Sequence, residues 1–189
     1  MQVFDYLQKQ LNMNTDEDKE EPVMKKIALM MFAAGLLAGC TSAEKIPAVK
    51  NFDTARYMGK WYEYRRLPNY FERGMTDVSA EYTLQKDGTV KVVNRGIYKN
   101  KEKSITGTLR SAGSPGTGEL EVSFFKPFYG SYRIIKLAPD YRYSVVTGRN
   151  KSLLWILSRT RELPAEDVEE IMTFLKQHGF PVEKLTATQ

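Results

Sequence analysis

A single cysteine and a single histidine stand in the 189 residues of this chain. One cysteine cannot build a disulfide framework, and one of each cannot build a Cys/His metal site. A Ser-His-Asp or Cys-His nucleophile system would have to use His178, the only histidine. Long apolar runs are also scarce, and the longest, Ile27 to Ala38, is too short to span a bilayer comfortably. Charge of one sign is in mild excess: 28 Lys+Arg against 23 Asp+Glu, a formal +5. That allows an anionic partner without demanding one. No catalytic residue, metal or cofactor is expected from so sparse a chemistry. Aromatic residues, by contrast, are abundant at 12%, which excludes a disordered charged tail. The length points to one domain with an appendage.

The appendage reads as an address. Lys25 and Lys26 form a short cationic stretch, Ile27 to Ala38 an apolar one, and Leu37-Ala38-Gly39-Cys40 ends it. This order resembles the signal peptide and lipobox of bacterial lipoproteins, with 24–39 as the signal and Cys40 as the lipidation site. The other reading is a buried core helix with an ordinary small cysteine. The resemblance implies that Cys40 becomes the mature N-terminus and carries three acyl chains. One chain gives only marginal attachment, at about 0.8 kcal/mol per buried CH₂, so three hold a protein permanently. Thr41 follows, where inner-membrane retention would use Asp, so the resemblance implies the outer membrane, facing the periplasm. Residues 40–48 then form a lipidated tether, and a lone, lipid-blocked cysteine suits an oxidising compartment.

Residues 1–23 oppose this reading. They hold six acids against Lys9 and Lys19, and an acidic flank works against the positive-inside bias that orients a signal. We read translation as starting at Met24 and the upstream stretch as a mis-assigned start, with a genuine cleaved extension as the alternative. Without residues 1–39 the chain keeps 24 Lys+Arg against 17 Asp+Glu, a net +7.

From residue 60 to 160 the pattern has period two, broken by turn residues. The predicted strands are Trp61 to Leu67, Asp77 to Gln85, Val90 to Lys99, Ser104 to Ser111, Leu120 to Phe125, Tyr132 to Ala138, Tyr141 to Thr147 and Ser152 to Ser158. Asp87-Gly88 is the strongest hairpin signal. Eight strands with short connections form antiparallel neighbours, and closure into a barrel removes both exposed edges. A sandwich is the structural alternative. Pro164 to His178 reads as one helix: Val168, Ile171, Met172 and Leu175 form a single stripe, acids crowd its start and Gly179 ends it. One stripe means that it packs outside the barrel. His178 lies in its last turn, where a cation is ordinary.

Val49 to Glu63 contains Gly59-Lys60-Trp61, and Leu153 to Arg159 ends the eighth strand with Trp155 and a terminal arginine. Asp140-Tyr141 lies between them, with Pro139 where threonine is usual. Three such regions in order resemble the lipocalin family, and with the lipobox and Val122 to Gly130 they resemble its bacterial outer-membrane members. The resemblance covers roughly residues 46 to 185, within a domain read as 49–189. It implies an all-β, eight-stranded antiparallel up-and-down β-barrel with one C-terminal α-helix packed outside. Gly59, Trp61 and Arg159 become structural: Trp61 closes the narrow end and Arg159 lies across its ring. A guanidinium on an indole face is worth roughly 0.5–2 kcal/mol.

Alternation counted from these motifs gives an inward set. Trp61, Glu63 and Arg65 point in on the first strand, and Leu153, Trp155 and Leu157 on the eighth. The remaining lumen residues, read as ligand-binding together with Leu153 and Trp155, are Ala80, Tyr82, Val92, Asn94, Ile105, Gly107, Val122, Phe124, Tyr132, Ile134, Ser144 and Val146. Ala80, Gly107 and Ser144 are small, so space is expected to remain, the alternative being a plugged barrel. The open rim carries Arg65, Arg66, Arg73, Lys99, Lys101, Lys103, Lys126, Arg149 and Lys151 against Glu72 and Glu102, with Phe71, Phe128 and Tyr129 among them. A cationic mouth on an apolar lumen suits an amphiphile with an anionic head, or an anionic membrane surface.

The family resemblance implies a carrier of fatty acids or lysophospholipids, serving envelope maintenance under stress, with a possible homodimer. The alternative is a lipocalin-fold enzyme acting on a hydrophobic substrate, for which Glu63 with Arg65 is the one candidate constellation. An OB-type nucleic-acid binder fits basicity and aromatics, but export removes its substrate, so no nucleic acid is expected as partner.

Overall fold

The computed structural model describes residues 46–189. Cys40, the signal-like run and the stretch before it lie outside the described residues. The chain enters through a short helix, α1 (Thr54–Tyr57), followed by eight strands: β1 (Gly59–Arg66), β2 (Met75–Leu84), β3 (Val90–Tyr98), β4 (Lys101–Ser111), β5 (Glu119–Phe125), β6 (Phe128–Leu137), β7 (Tyr143–Thr147) and β8 (Leu154–Ser158). Helix α2 (Ala165–Gln177), a 3₁₀ turn (Val182–Lys184) and a two-residue strand, β9 (Thr186–Ala187), complete it.

From β1 to β8 every strand pairs antiparallel with its sequence neighbours, and β1 pairs with both β2 and β8. The sheet therefore closes, which excludes the sandwich and confirms the barrel with one helix outside. The strand that the sequence did not signal is β9, which lies along Arg65 and Arg66 of β1. Two residues are too few to show a period. Helix α1, of four residues, is also too short for a period; its signal is Asp53, whose Oδ1 accepts from the amides of Ala55 (2.8 Å) and Arg56 (3.3 Å). Gly59 then turns the chain into β1 at φ +91°, a conformation that favours glycine. The Asp87-Gly88 turn closes the β2–β3 hairpin, with the Gln85 amide on the Thr89 carbonyl at 2.8 Å.

The alternation divides the apolar residues into two bodies. Inside the barrel lie Trp61, Tyr82, Val92, Leu109, Ile134 and Val146 with Phe52 and Tyr57 from the entry segment. Outside, Ile135, Val145, Leu154 and Ile156 pack against Ile171 and Leu175 of α2. The helix is also pinned by charge. Asp167, buried, takes a bidentate pair from Arg142 at 2.6 and 2.7 Å, and Lys136 reaches Glu170 at 2.7 Å. Sequence reading assigned Asp167 only to the acidic helix start. Its partner, 25 positions away, gave no local signal.

Candidate ligand-binding site

The closed end is a stack of rings and backbone caps. The Arg159 guanidinium lies 3.9 Å over Trp61 and donates to the carbonyls of Lys60 (3.0 Å) and Arg56 (2.8 Å). Trp61 Nε1 donates to the Tyr57 carbonyl at 2.8 Å, and the two rings lie 4.8 Å apart. Every charged or polar atom named here is directed at a backbone acceptor, so this end holds shape.

Above Trp61 four hydroxyls form a chain: Ser144 Oγ to Tyr57 at 3.2 Å, Tyr57 to Tyr132 at 2.8 Å, Tyr132 to Tyr82 at 2.9 Å. Burial pushes the Tyr57 phenol up to about 12, and those of Tyr82 and Tyr132 well above their ordinary value. All three stay protonated. Tyr82, Tyr132 and Ser144 came from strand alternation, whereas Tyr57 was missed because it arrives from α1.

Cross-strand register carries the inward face around the barrel: Trp61 opposite Ala80, Ala80 opposite Asn94, Asn94 opposite Ile105; Tyr82 opposite Val92, Val92 opposite Gly107; Leu120 opposite Tyr132; Ile134 opposite Val146, Val146 opposite Trp155, Ser144 opposite Leu157. Val122 and Phe124 pack against the same inner body. Leu153 departs from the set. It precedes β8 in the turn, against Gly148, outside the inner cluster. The space expected beside the small residues is partly taken. A methyl on Gly107 would meet Phe124 at 2.7 Å, and Ser144 bonds the Tyr57 hydroxyl.

The open half needs a larger correction. A β-bulge between Glu63 and Arg65 shifts the phase of β1, so Arg65 lies opposite outward-facing Ile156 and Arg66 opposite inward-facing Trp155. Arg66, not Arg65, therefore enters the lumen, and it is not a free rim cation. It is 5% exposed, donates to Glu63 Oε1 at 2.5 Å and to the carbonyls of Glu72 (2.6 Å) and Met75 (3.1 Å), and stands 3.9 Å from the Glu72 carboxylate. Glu72 Oε2 accepts from Trp155 Nε1 (2.9 Å) and Asn69 Nδ2 (2.6 Å), while Phe71 tilts over the Trp155 ring at 6.2 Å. The connection between β1 and β2 is thus folded into the mouth. Burial, and then the Glu72 charge, push the Glu63 carboxyl up to about 8 against the opposing pull of Arg66. Arg65 makes no pair with Glu63, so the constellation considered for an enzyme does not assemble. Outside the mouth, Tyr70 (62% exposed) and Phe125 (51% exposed) stand among the remaining cations.

A cleft of about 80 Å³ opens at the closed end, walled by Phe52, Met58, Val90 and Leu109 and reaching Tyr57 and Tyr82 of the floor. It is far below the roughly 300–1,000 Å³ of ordinary ligand pockets. Among the described residues no group of three His, Cys, Asp or Glu side chains stands together to hold a metal.

Comparison with known proteins decides the family. Residues 52–189 match the lipocalin-like domain. The chain belongs to the lipocalin family. This lipocalin is 40% identical over 158 residues to outer membrane lipoprotein Blc of Citrobacter freundii, covering 81% of this chain and 89% of that one. It is 38% identical over 170 residues to the Vibrio cholerae protein of the same name, covering 88% and 99%. Apolipoprotein D of Macaca fascicularis is 34% identical over 161 residues, covering 80% and 82%. Among solved structures, insecticyanin of the tobacco hornworm superposes with a TM-score of 0.64 at 19% identity, over 80% of this chain and 87% of that one, which shows the shared fold. The chain is thus a lipocalin of the bacterial outer-membrane kind.

Proposed function

We propose that this lipocalin binds a single-chain lipid, a fatty acid or lysophospholipid, in its lumen and stores or carries it in the cell envelope. Membrane maintenance under stress is the role this serves. The acyl chain enters between Ile105, Val122, Phe124 and Trp155, and the head group stays at the mouth among Arg73, Lys99, Lys101, Lys103, Lys126, Arg149 and Lys151. The observation that carries the reading is the apolar and aromatic cluster inside the barrel, beneath connections rich in Lys and Arg. Because Phe71 and Glu72 occupy the mouth, a ligand displaces them, and Trp155 reports the exchange. We read Cys40 as the acylated anchor, with 24–39 removed as signal. A homodimer fits the same assignment.

The protein acts in this reading as a binder, not an enzyme. Glu63, a buried acid of the lumen, is paired with Arg66. The test is native mass spectrometry of the membrane-extracted protein, followed by identification of what it releases. A stoichiometric single-chain lipid is the expected result. Lipid-free protein that also takes none up overturns the reading.

A further inference from the structure

Asn94 is a polar residue on the inner face, and its Oδ1 is shielded from solvent without a hydrogen-bond partner. The reason is its surroundings. Its cross-strand neighbours on that face are Ala80 and Ile105, and along β3 they are Val92 and Gly96. None of the four side chains can donate a hydrogen bond. A desolvated, unpaired amide oxygen is costly to keep, and a plain hydrocarbon beside it leaves it unpaired.

The floor is polar as well, but its groups pair with one another. Ser144, Tyr57, Tyr132 and Tyr82 are four hydroxyls joined by three contacts. Each hydroxyl owns one proton, so whichever way the chain is oriented, one O–H has no acceptor within it. The lumen therefore holds an unpaired acceptor at Asn94, which a saturated chain leaves unpaired, beside a floor whose four hydroxyl oxygens all have partners.

Depth decides which part of a ligand reaches Asn94. The register runs from Trp61 to Ala80 to Asn94, which puts the amide in the row of the floor tryptophan. It also lies about 13 Å down an extended strand from Tyr98 at the rim end of β3. A head group held at the rim leaves acyl carbons, not glycerol, beside it.

Building on the lipid-binding reading above, we propose that Asn94 is a specificity-determining residue: its Oδ1 accepts a hydrogen bond from a hydroxyl on the acyl chain, so the lumen selects hydroxylated over plain acyl chains. The test uses the full chain in a fluorinated surfactant, whose tails mix poorly with hydrocarbon ligands. Stearic acid is compared with 10- and 12-hydroxystearic acid and with stearoyl lysophosphatidylethanolamine, each displacing a fluorescent fatty acid. At least one hydroxy acid is expected to bind about tenfold tighter than stearic acid. In Asn94→Leu that preference disappears and stearic acid binds severalfold tighter, which also reports that the variant is folded. Equal binding of all three fatty acids by the wild type, or a hydroxyl preference that survives Asn94→Leu, overturns the proposal. A preference confined to the lysophospholipid, with its free glycerol hydroxyl, also overturns it by locating recognition in the head group. Failure of every ligand to bind overturns the lipid-binding reading itself, and this inference with it.

Discussion

The two ends of the barrel are built from similar residues and held in opposite ways. At the closed end Arg159 and Trp61 send their donors to backbone carbonyls of Lys60, Arg56 and Tyr57. At the open end Trp155 donates to the Glu72 carboxylate, while Arg66 divides its donors between the Glu63 carboxyl and the carbonyls of Glu72 and Met75. Lys60 lies in the paired sheet and Arg56 and Tyr57 in α1 beside it, whereas Glu72, on the β1–β2 connection, is held by no strand pairing. On the proposed reading, the same guanidinium and indole chemistry makes a fixed floor at one end and a plug that a ligand displaces at the other.

If that contrast is right, floor variants act on stability and mouth variants on pH response and binding. Trp61→Ala has the largest effect. It removes a fully buried indole and its cation–π partner, so urea denaturation is expected to show a loss of about 3–5 kcal/mol. A loss below about 1 kcal/mol would erase the distinction. Glu63→Gln comes next and is seen only through pH. Glu63 binds its proton more tightly in the folded state, since burial raises it to about 8 from an ordinary 4.5. Its contribution therefore falls as pH rises through that window, by up to about 1.4 kcal/mol per pH unit. Denaturation midpoints taken from pH 4.5 to 8 are expected to decline less steeply in Glu63→Gln than in wild type. Parallel curves would mean that Arg66 keeps the carboxyl ionised.

Phe71→Ala sharpens the contrast from the other side. The ring contact with Trp155 is worth roughly 0.5–1.5 kcal/mol, so stability changes little while Trp155 emission shifts to the red and ligand uptake quickens. A stability loss as large as that of Trp61→Ala would make the mouth as structural as the floor. The smallest effect is ionic. Rim lysines are screened within about 10 Å at 0.1 M salt, so an anionic lysophospholipid is expected to weaken about twofold to fivefold between 0.05 and 0.5 M salt, and a zwitterionic one to change less.

The floor was far more legible in the sequence than the mouth. Gly59, Trp61 and Arg159 came from motifs that resemble those of the family, and period two carried Ala80, Tyr82, Val92 and Val146 to the inner face. The bulge after Glu63 broke the same count. Strict alternation from Trp61 and Glu63 puts Arg65 inward, and only the pairing with β8 shows that Arg66 takes its place. Tyr57 joins the lumen from a four-residue helix, and Glu72 from a loop, where no period exists to place either. Local pattern specifies regular strands, while residues delivered by bulges, loops and short helices are placed by contacts distant in sequence.

One titration bears most directly on the central claim that the lumen is a lipid site closed by a displaceable mouth. Lysophospholipid is added below its micellar range while tryptophan emission is followed in wild type and in Trp155→Phe, where only Trp61 reports. The account predicts a saturable, one-to-one change in wild type that is nearly lost in Trp155→Phe. No saturation, or an equal change in both proteins, would contradict it.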